Sequence, residues 1–476
     1  MSDFLNQANL SRLKAGITKP AYDRARVRQG VVHLGPGAFH RAHQAPAFNS
    51  LLAHDPRWGI TGVSLHSPDV RDALTPQEGL YTLALLDEQV SFQIIGAIKD
   101  VLVAPENPEA VLARLFAPET EIVTLTITEK GYCLDSSGDL DLAHPSIRAD
   151  LERPANPKTA IGYIAEALLR RRAAGAKPLV VISCDNLVDN GAKLGRAVLA
   201  FIGERDTEAA IELAETVEFP STMVDSITPA TDDALRARAA EAIGLTDRWP
   251  IQREAFTQWV LERHAHEDGP DWEAMGVTLT DSVSAFERAK LRILNASHSS
   301  LAYLGILKGR ETVADAMADP ELAAFARALM VEEITPSLTA PAGFDLVAYR
   351  EAVLKRFRNP AMRHLLSQIA WDGSQKLPNR LFGLIEEALT AGRSVARPAR
   401  TIAAWFLFLR LRAKNRGEKL VDPLAPLLLE TAARANNDAA HDVDLFLSLK
   451  PVFPTALSGN ATFRSALVDA YSELLR

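Results

Sequence analysis

Cysteine is scarce in this 476-residue sequence, which contains only Cys133 and Cys184. The two form no CxxC pair and no zinc-like cluster, so we expect neither a disulfide framework nor a metal site. Long apolar runs are missing as well. Nothing approaches the roughly 20 residues of a membrane helix, and the opening stretch MSDFLNQANLSRLKAG lacks the apolar core of a secretory signal. We therefore expect a cytoplasmic protein that does not bind a membrane.

An excess of basic residues is also absent. The sequence has 52 Lys and Arg against 60 Asp and Glu, with a formal net charge of -8 and a pI near 5.8. This balance argues against a nucleic-acid partner but leaves room for a local cationic pocket that binds a small acidic substrate. With 47% hydrophobic residues, the chain is long enough for two or three domains with large cores. We expect a monomer or a small homo-oligomer.

The most unusual stretch that is present is AFERAKLRILNASHSSLAYLGILKG, residues 285–309. It predicts a long apolar helix interrupted by four polar residues: Glu287, Lys290, Asn295 and His298. At about 100° per residue all four fall on one arc of that helix. Burying such groups without partners costs a few kcal/mol each, so they need either a ligand or one another. A ligand site and a self-satisfied polar network both remain open.

A glycine turn follows the first predicted strand. Residues 30–34 lead into GPGAFHRAH and then a helical pattern, which is typical of a strand, a turn and a helix that bind a pyrophosphate. The candidates for cofactor contact are Gly35, Gly37, Ala38, Phe39 and His40. Because His40 occupies the third position of GxGxxG, a simple tight turn remains the alternative.

The second predicted strand, residues 59–65, is followed by a residue suited to an adenosine ribose. Asp69 is placed to accept a hydrogen bond from the ribose 2′-hydroxyl, which favours NAD, whereas Arg71 suits the 2′-phosphate of NADP. We expect NAD as the cofactor.

Polar residues stand at the ends of two further strands. Residues 121–128 run into Thr128, Glu129 and Lys130, and residues 178–184 run into Asp185 and Asn186. Ligands of open α/β sheets bind at the carboxyl ends of the strands, so we expect these groups at one edge of the sheet.

The remaining chain divides into predicted loops and helices. Residues 135–157 and 218–229 are interpreted as loops, the second centred on Asp225. From residue 282 the apolar pattern is helical almost throughout, over residues 322–330, 346–357, 362–369, 381–391, 401–411, 425–433 and 461–475. We expect an α/β Rossmann-type domain over residues 1–276 and an all-α domain over residues 277–476.

The chemistry that these groups favour is hydride transfer between a nicotinamide and a carbon that carries a hydroxyl. Oxidising an alcohol requires a base for the hydroxyl proton, and Lys290 meets that need if burial lowers its pKa. Amide donors such as Asn186 and Asn295 stabilise the developing oxyanion.

Six motifs together resemble the mannitol dehydrogenase family of polyol-specific long-chain dehydrogenases, and within it the fructuronate reductase (D-mannonate oxidoreductase) branch. They are VHLGPGAFHRAHQA, TLTITEKGYC, SCDNLVDNG, FPSTMVDSITPAT, KLRILNASHSSLAYLG and DGSQKLPNR, spanning residues 32–380. The resemblance implies a Rossmann-type domain, a helical C-terminal domain, dependence on NAD and catalysis without a metal.

The resemblance also implies roles for individual residues. These are Lys290 as general base, Asn186 and Asn295 as oxyanion donors, His298 as a ligand of a substrate hydroxyl, Glu287 as a proton relay and Asp225 at the substrate site. The family's own fingerprint, GxGxFHRxH, accommodates His40.

Lys376 and Arg380 suit the carboxylate of a uronate substrate, although two solvated charges on a surface helix are the alternative. We expect an NAD-dependent, metal-independent oxidoreductase at C2 of a linear sugar acid or polyol, with D-mannonate and D-fructuronate first. Mannitol 2-dehydrogenase and D-arabinitol dehydrogenase are the alternatives, and a non-catalytic NADH-sensing protein is the alternative from another class.

Overall fold

A computed structural model describes residues 3–87, 89–264, 268–341, 343–415 and 419–476. The chain forms two compact units, Met1–Ser284 and Ala285–Arg476. The division expected from the sequence lies after residue 276. The next strand, Val277–Thr280, pairs with Gln258–Glu262 in the first unit.

The N-terminal unit contains the β-strands. They are β1 Val31–Leu34, β2 Ile60–Ser64, β3 Tyr81–Leu86, β4 Ser91–Ile95, β5 Ile98–Val103, β6 Ile122–Leu125, β7 Val180–Ser183, β8 Thr222–Asp225, β9 Ile251–Glu254, β10 Gln258–Glu262 and β11 Val277–Thr280. Five form a parallel sheet in the order β5-β2-β1-β6-β7. Since β1, β6 and β7 are adjacent and parallel, their carboxyl ends meet at one edge of that sheet.

Two smaller sheets accompany the parallel sheet. One has the order β4-β3-β9 and the other β11-β10-β8. The second corrects the sequence-based interpretation of residues 218–229, because Thr222–Asp225 is a buried strand rather than part of a loop. Its four residues lie between Pro220 and Pro229, and so short an apolar run carries too little alternation to be recognised.

Helices cover the parallel sheet. They are α1 Ala38–Ala42, α2 Gln44–Leu51, α3 Asp69–Leu74, α4 Pro108–Phe116, α5 Pro145–Glu152, α6 Ala160–Ala173, α7 Asn190–Gly203, α8 Thr207–Thr216 and α9 Asp233–Ile243. Helix α5 corrects the interpretation of residues 135–157 as a loop, because its Pro at the first position starts a helix rather than ending one. Residues of β1, β2, β6 and β7 are fully buried, as expected of a parallel sheet packed on both faces.

The C-terminal unit is all-α among the residues described from 285 to 476. Its helices are α10 Val283–Ala289, α11 Ser297–Leu307, α12 Val313–Ala318, α13 Pro320–Ala328, α14 Leu346–Phe357, α15 Leu366–Ile369, α16 Gly373–Leu377, α17 Gly383–Thr390, α18 Ala396–Lys414, α19 Ala425–Ala433, α20 Ala439–Leu447, α21 Thr455–Ser458 and α22 Ala461–Leu475. The longest, α18, buries Trp405, Phe406 and Leu409 in the core of this unit. The predicted fold class, Rossmann-type followed by all-α, is confirmed.

Three helices of this unit contain π-helical segments, in which backbone hydrogen bonds run from i to i+5. They are Lys290–Ala296, Leu329–Ile334 and Pro378–Phe382. The helix predicted over residues 285–309 is therefore α10, a π segment and α11 in succession. Angular positions calculated at 100° per residue do not apply across the π segment, so the single arc inferred from the sequence stays a prediction.

None of the helices in the described ranges combines the length and apolar character needed to cross a bilayer.

Candidate active site

The glycine turn after β1 uses its two glycines for different purposes. Gly35 has φ +89°, and a Cβ there would lie 2.3 Å from the carbonyl oxygen of Thr126, so only glycine fits. Gly37 has an ordinary φ and lies exposed at the start of α1. The nearest atom to a Cβ at Gly37 is the Gly35 oxygen, 3.9 Å away, so the space in front of it is open. This space is where a cofactor phosphate approaches the backbone in such turns.

Two stacked imidazoles support this turn from inside the fold. His33 and His40 have ring centroids 3.4 Å apart. The ring of His33 is 2.7 Å from Thr124 Oγ1, 2.9 Å from Thr126 Oγ1 and 3.1 Å from the Gly35 oxygen. His40 is fully buried, and burial lowers the pKa of both rings, that of His33 to about 3. The structure thus places the predicted cofactor residue His40 beneath the turn, whereas Ala38 and Phe39 are partly exposed.

The two candidate ribose ligands differ in their surroundings. Asp69 is exposed at the start of α3 and accepts a 2.9 Å hydrogen bond from Ser67 Oγ. Arg71 forms ion pairs with Asp72, at 2.8 Å, and with Glu106. The guanidinium of Arg71 is therefore already compensated by two carboxylates.

The carboxyl ends of β6 and β7 carry the next group of predicted residues. Thr128, Glu129, Lys130 and Asn186 are all exposed at this edge. Thr128 also has φ +63°, a value that residues with side chains rarely adopt. The N-terminal unit thus brings these four residues and the glycine turn to neighbouring strand ends, while Asp225 lies buried at the end of β8 in another sheet.

In the C-terminal unit, the interrupted helix presents the remaining catalytic candidates. Glu287 lies in α10, Lys290 and Asn295 lie in the π segment, and His298 lies in the first turn of α11. The first three are partly buried, and His298 is 7% exposed. A π segment is an irregularity frequently found at functional sites.

His298 is held between two rings. It stacks on Phe357 with centroids 4.3 Å apart and meets His364 nearly edge-on at 5.2 Å. Its Nε2 and the Nδ1 of His364 are buried and have no hydrogen-bond partner among the residues that the structure describes. Such orphaned atoms are uncommon and call for a ligand or ordered water.

Cations surround these two imidazoles. The pKa of His298 lies well below its usual value, chiefly because the ring is buried and further because His364, Arg356 and Arg380 lie near it. The pKa of His364 is lowered to about 4, chiefly by burial and further by the positive charges of Lys376, Arg356 and Arg380. Both rings are therefore neutral at pH 7 and lie in a positive field.

Arg380 connects this cluster to the catalytic helix. Its Nη1 donates to the Asn295 carbonyl at 3.3 Å and to Ser299 Oγ at 2.9 Å. Its Nε and Nη2 donate to no residue in the described ranges. Lys376 donates one long hydrogen bond, 3.4 Å, to the Ile369 carbonyl. Burial lowers the pKa of both groups, that of Arg380 to about 10. Both residues are only partly exposed, which favours the carboxylate role over two solvated surface charges, and the choice between them stays a prediction.

Sequence reasoning missed part of this cluster. His364, Arg356 and Ser299 received no role, although the structure groups them with His298 and Arg380. The stretch FRNPAMRHLL offers no periodicity that distinguishes buried polar residues from exposed ones. Only the packing around His298 brings these residues to notice.

Two family models together cover nearly the whole chain. The mannitol dehydrogenase Rossmann domain matches residues 29–274, and the mannitol dehydrogenase C-terminal domain matches residues 282–475. The chain belongs to the mannitol dehydrogenase family. Members of this family are oxidoreductases, and the predicted recognition is confirmed.

Relatives within the mannitol dehydrogenase family align over most of their length. D-mannonate oxidoreductase of Escherichia coli is 42% identical, with 96% of each chain covered. Mannitol 2-dehydrogenase of Phaeosphaeria nodorum is 38% identical over 99% of this chain and 84% of its own. The solved complex of Pseudomonas fluorescens mannitol 2-dehydrogenase with NAD and D-mannitol is 38% identical, has a TM-score of 0.84 and covers 99% of this chain and 96% of its own.

Within the described ranges, no group of three or more His, Cys, Asp or Glu side chains is arranged to hold a metal ion.

Proposed function

We propose that this protein is an NAD-dependent oxidoreductase that interconverts D-mannonate and D-fructuronate without a metal. The observation that carries the choice of substrate is the cationic surrounding of His298 and His364. The charged side chains that act on these two imidazoles are Arg356, Lys376 and Arg380, and no carboxylate of the described residues is among them. An anionic end of the substrate compensates such a field, whereas a neutral polyol does not. The similarity to a D-mannonate oxidoreductase supports the same choice.

NAD is the cofactor that suits the N-terminal unit. The open space before Gly37 accommodates a pyrophosphate, and Asp69 is exposed for a ribose hydroxyl. The ion pairs of Arg71 with Asp72 and Glu106 disfavour a 2′-phosphate, because an added dianion has to compete with two carboxylates. When bound, NAD supplies a nicotinamide that exchanges hydride with C2 of the substrate.

The chain's own residues then transfer the proton, stabilise the oxyanion and bind the substrate. Lys290 removes the hydroxyl proton during oxidation and returns it during reduction, and Glu287 relays that proton to solvent. Asn186 and Asn295 donate to the developing oxyanion. We assign binding of the substrate hydroxyls to His298 and Asp225, and binding of its carboxylate to Lys376 and Arg380.

Two substrates distinguish this function from that of a mannitol dehydrogenase. We expect NADH to be oxidised much faster with D-fructuronate than with the same concentration of D-fructose. A preference for D-fructose would overturn the assignment of the sugar acid. Binding of NADH without turnover of any polyol or aldonate would favour a non-catalytic sensor.

The base assignment has its own test. Lys290→Ala should lower kcat by on the order of 100-fold or more, because the proton then has no acceptor. Unchanged NADH affinity and an unchanged thermal midpoint would show that the loss is chemical. Near wild-type turnover would mean that another group is the base.

Removing one cation tests the carboxylate site. Lys376→Met should raise KM for D-fructuronate by roughly 10-fold or more, the effect of a lost hydrogen bond to a charged group, and should leave KM for D-fructose much less changed. The matched control is Lys355→Met, since Lys355 is exposed on α14. Equal effects of Lys376→Met on both substrates would remove the carboxylate role.

The two glycines of the turn test the cofactor. Gly37→Ala places a methyl group in open space, so the protein should fold normally yet bind NADH at least about tenfold more weakly. Gly35→Ala should instead destabilise the fold, because its Cβ collides with the Thr126 carbonyl. If Gly37→Ala binds NADH as the wild type does, the pyrophosphate does not approach this turn.

A further inference from the structure

Thr128 adopts a backbone conformation that is essentially restricted to glycine. It has φ +63° and ψ 162°, and it lies just after β6, immediately before the short helix Glu129–Tyr132. Non-glycine residues in this region are strained and persist only where their surroundings hold them. Such residues cluster at functional sites.

The group that holds Thr128 is the carboxylate of Asp185, at the end of the neighbouring strand β7. One oxygen accepts from the Thr128 N–H and the other from the Ile127 N–H, each at 2.9 Å. The second oxygen also accepts from the buried hydroxyl of Tyr132 at 2.7 Å. One side chain therefore binds both the start and the end of the segment that follows β6.

The same aspartate is held through its own backbone. Asn190, which is fully buried, donates to the Asp185 carbonyl at 3.1 Å and to the Thr222 carbonyl at 3.0 Å. Its Oδ1 accepts from the Thr222 N–H at 2.9 Å. Asp185 is thus fixed on one side, and Asn186 follows it directly in the chain.

The segment after β6 also contacts the glycine turn. Thr126 Oγ1 donates to the Gly35 carbonyl at 2.7 Å, and the Thr126 carbonyl is the atom that excludes a Cβ at Gly35. A shift of this segment would therefore move the Thr126 carbonyl, against which the glycine turn packs at Gly35. Asp185 couples this segment to the end of β7 through three hydrogen bonds, and Ser183 adds a fourth through the Tyr132 hydroxyl.

We propose that Asp185 is a positioning residue that holds Thr128 in its strained conformation and thereby aligns the segment after β6 with Asn186 at the cofactor edge. The inference rests on the proposed function, since it takes this edge as the NAD site. Asp185 needs two acceptor oxygens for this role. The Asp185→Asn variant keeps the shape but turns one acceptor into a donor that faces a donor.

The experiment compares the effect of Asp185→Asn in two backgrounds, Thr128 and Thr128→Gly. In the Thr128 background we expect NADH affinity and kcat to fall at least about tenfold, because hydrogen bonds to a charged group that hold the segment in place are lost. In the Thr128→Gly background the loss of NADH affinity and kcat caused by Asp185→Asn should be at least about threefold smaller, because glycine adopts φ > 0 without a neighbouring group to stabilise it. Equal costs in the two backgrounds would overturn the proposal.

Hydrogen exchange provides a readout that does not depend on the cofactor. Asp185→Asn should accelerate amide exchange in the peptide that contains Ile127 and Thr128, and unchanged exchange there would also overturn the proposal. Asp189→Asn is the matched control, because Asp189 is exposed and its side chain caps no backbone N–H. A wild-type protein that fails to bind NADH would overturn the proposed function, whereas faster exchange in Asp185→Asn would still establish what Asp185 holds.

Discussion

At the scale of single residues, the buried histidines are the most informative groups. Histidine is normally near its pKa at physiological pH, but burial lowers the pKa of His33 to about 3 and that of His364 to about 4. In these two sites the imidazole serves as a neutral hydrogen-bonding ring. His33 has partners for both nitrogens, whereas His298 and His364 each have a nitrogen that lacks one among the described residues. Both nitrogens of the fully buried His40 also lack a partner among the described residues, so a missing partner alone does not mark a ligand site. His298 and His364 differ from His40 in the cluster of Arg356, Lys376 and Arg380 around them.

This neutrality predicts an acid-sensitive fold. Below about pH 6.5 the unfolded chain binds protons at these histidines while the folded chain does not, so stability falls as pH drops from about 6.5 towards 4. His364→Gln should reduce this pH dependence of the unfolding free energy by up to about 1.4 kcal/mol per pH unit. Urea unfolding at pH 7, 6 and 5 measures it, with the exposed His54→Gln as control. An unchanged slope in His364→Gln would contradict a neutral His364.

At the scale of elements, the short helix α16 shows how the carboxylate-binding candidate Lys376 is positioned. Asp422 accepts from the Ser374 N–H at 2.9 Å and from Ser374 Oγ at 2.6 Å, and so holds the first turn. Gly373 lies so close to Trp405 and Tyr303 that a Cβ would be 2.6 Å from an atom of each. The position of Lys376 therefore depends on a helix whose backbone packs directly against Trp405 and Tyr303 at Gly373.

Two glycines in consecutive helices test that dependence. Gly373→Ala should destabilise the protein by about 1–3 kcal/mol, because the added methyl group overlaps two buried rings, and should raise KM for D-fructuronate. Gly383→Ala should stabilise it by up to about 1 kcal/mol, since alanine favours a helix and the nearest atom is 3.8 Å away. Thermal unfolding measures both. An equal change in thermal midpoint in the two variants would show that α16 can move to accommodate the added methyl group.

The elements that could be predicted are those with strong periodicity. The helices Leu346–Phe357, Ala425–Ala433 and Ala461–Leu475 agree with their predicted bounds, because each has a regular apolar face. The other four predicted helices of this unit are present with shifted ends, as in Ala396–Lys414, which was predicted only over residues 401–411. Strand β8 and helix α5 could not be predicted in this way, being short and flanked by proline or polar residues. The π segments were missed because an extra residue in a helical turn leaves no mark in composition.

The candidate site draws on the sequence for some of its residues and on the structure for others. The resemblance and the burial argument name Lys290, Asn295 and His298 as candidates from the sequence alone. His364 and Asp185 acquire their meaning only from contacts between residues distant in sequence, such as the ring of His298 and the backbone of Thr128. Sequence periodicity depends on residues that are close in the chain, so it cannot predict contacts between residues that are distant in sequence.

At the scale of the whole molecule, the two units each have their own core and carry different parts of the proposed chemistry. Multidomain chains often unfold in more than one step. We therefore expect two calorimetric transitions, the N-terminal one lowered by Gly35→Ala and the C-terminal one by Gly373→Ala. NADH at about 100 times its Kd should stabilise the N-terminal unit by about 2.7 kcal/mol. A single transition that all three perturbations shift equally would contradict independent units.

The π segment Lys290–Ala296 has a consequence for changes in chain length. The wider turns of this segment hold one residue more than an ordinary helix would, so deleting one residue there should let the helix close with i to i+4 bonding while the protein stays folded. In an ordinary helix the same deletion turns every later side chain by about 100°. Here the lost residue is the one that the wider turns accommodate, so His298 should keep its direction relative to Glu287. Only the spacing of the side chains inside the segment, Lys290 and Asn295 among them, would then change.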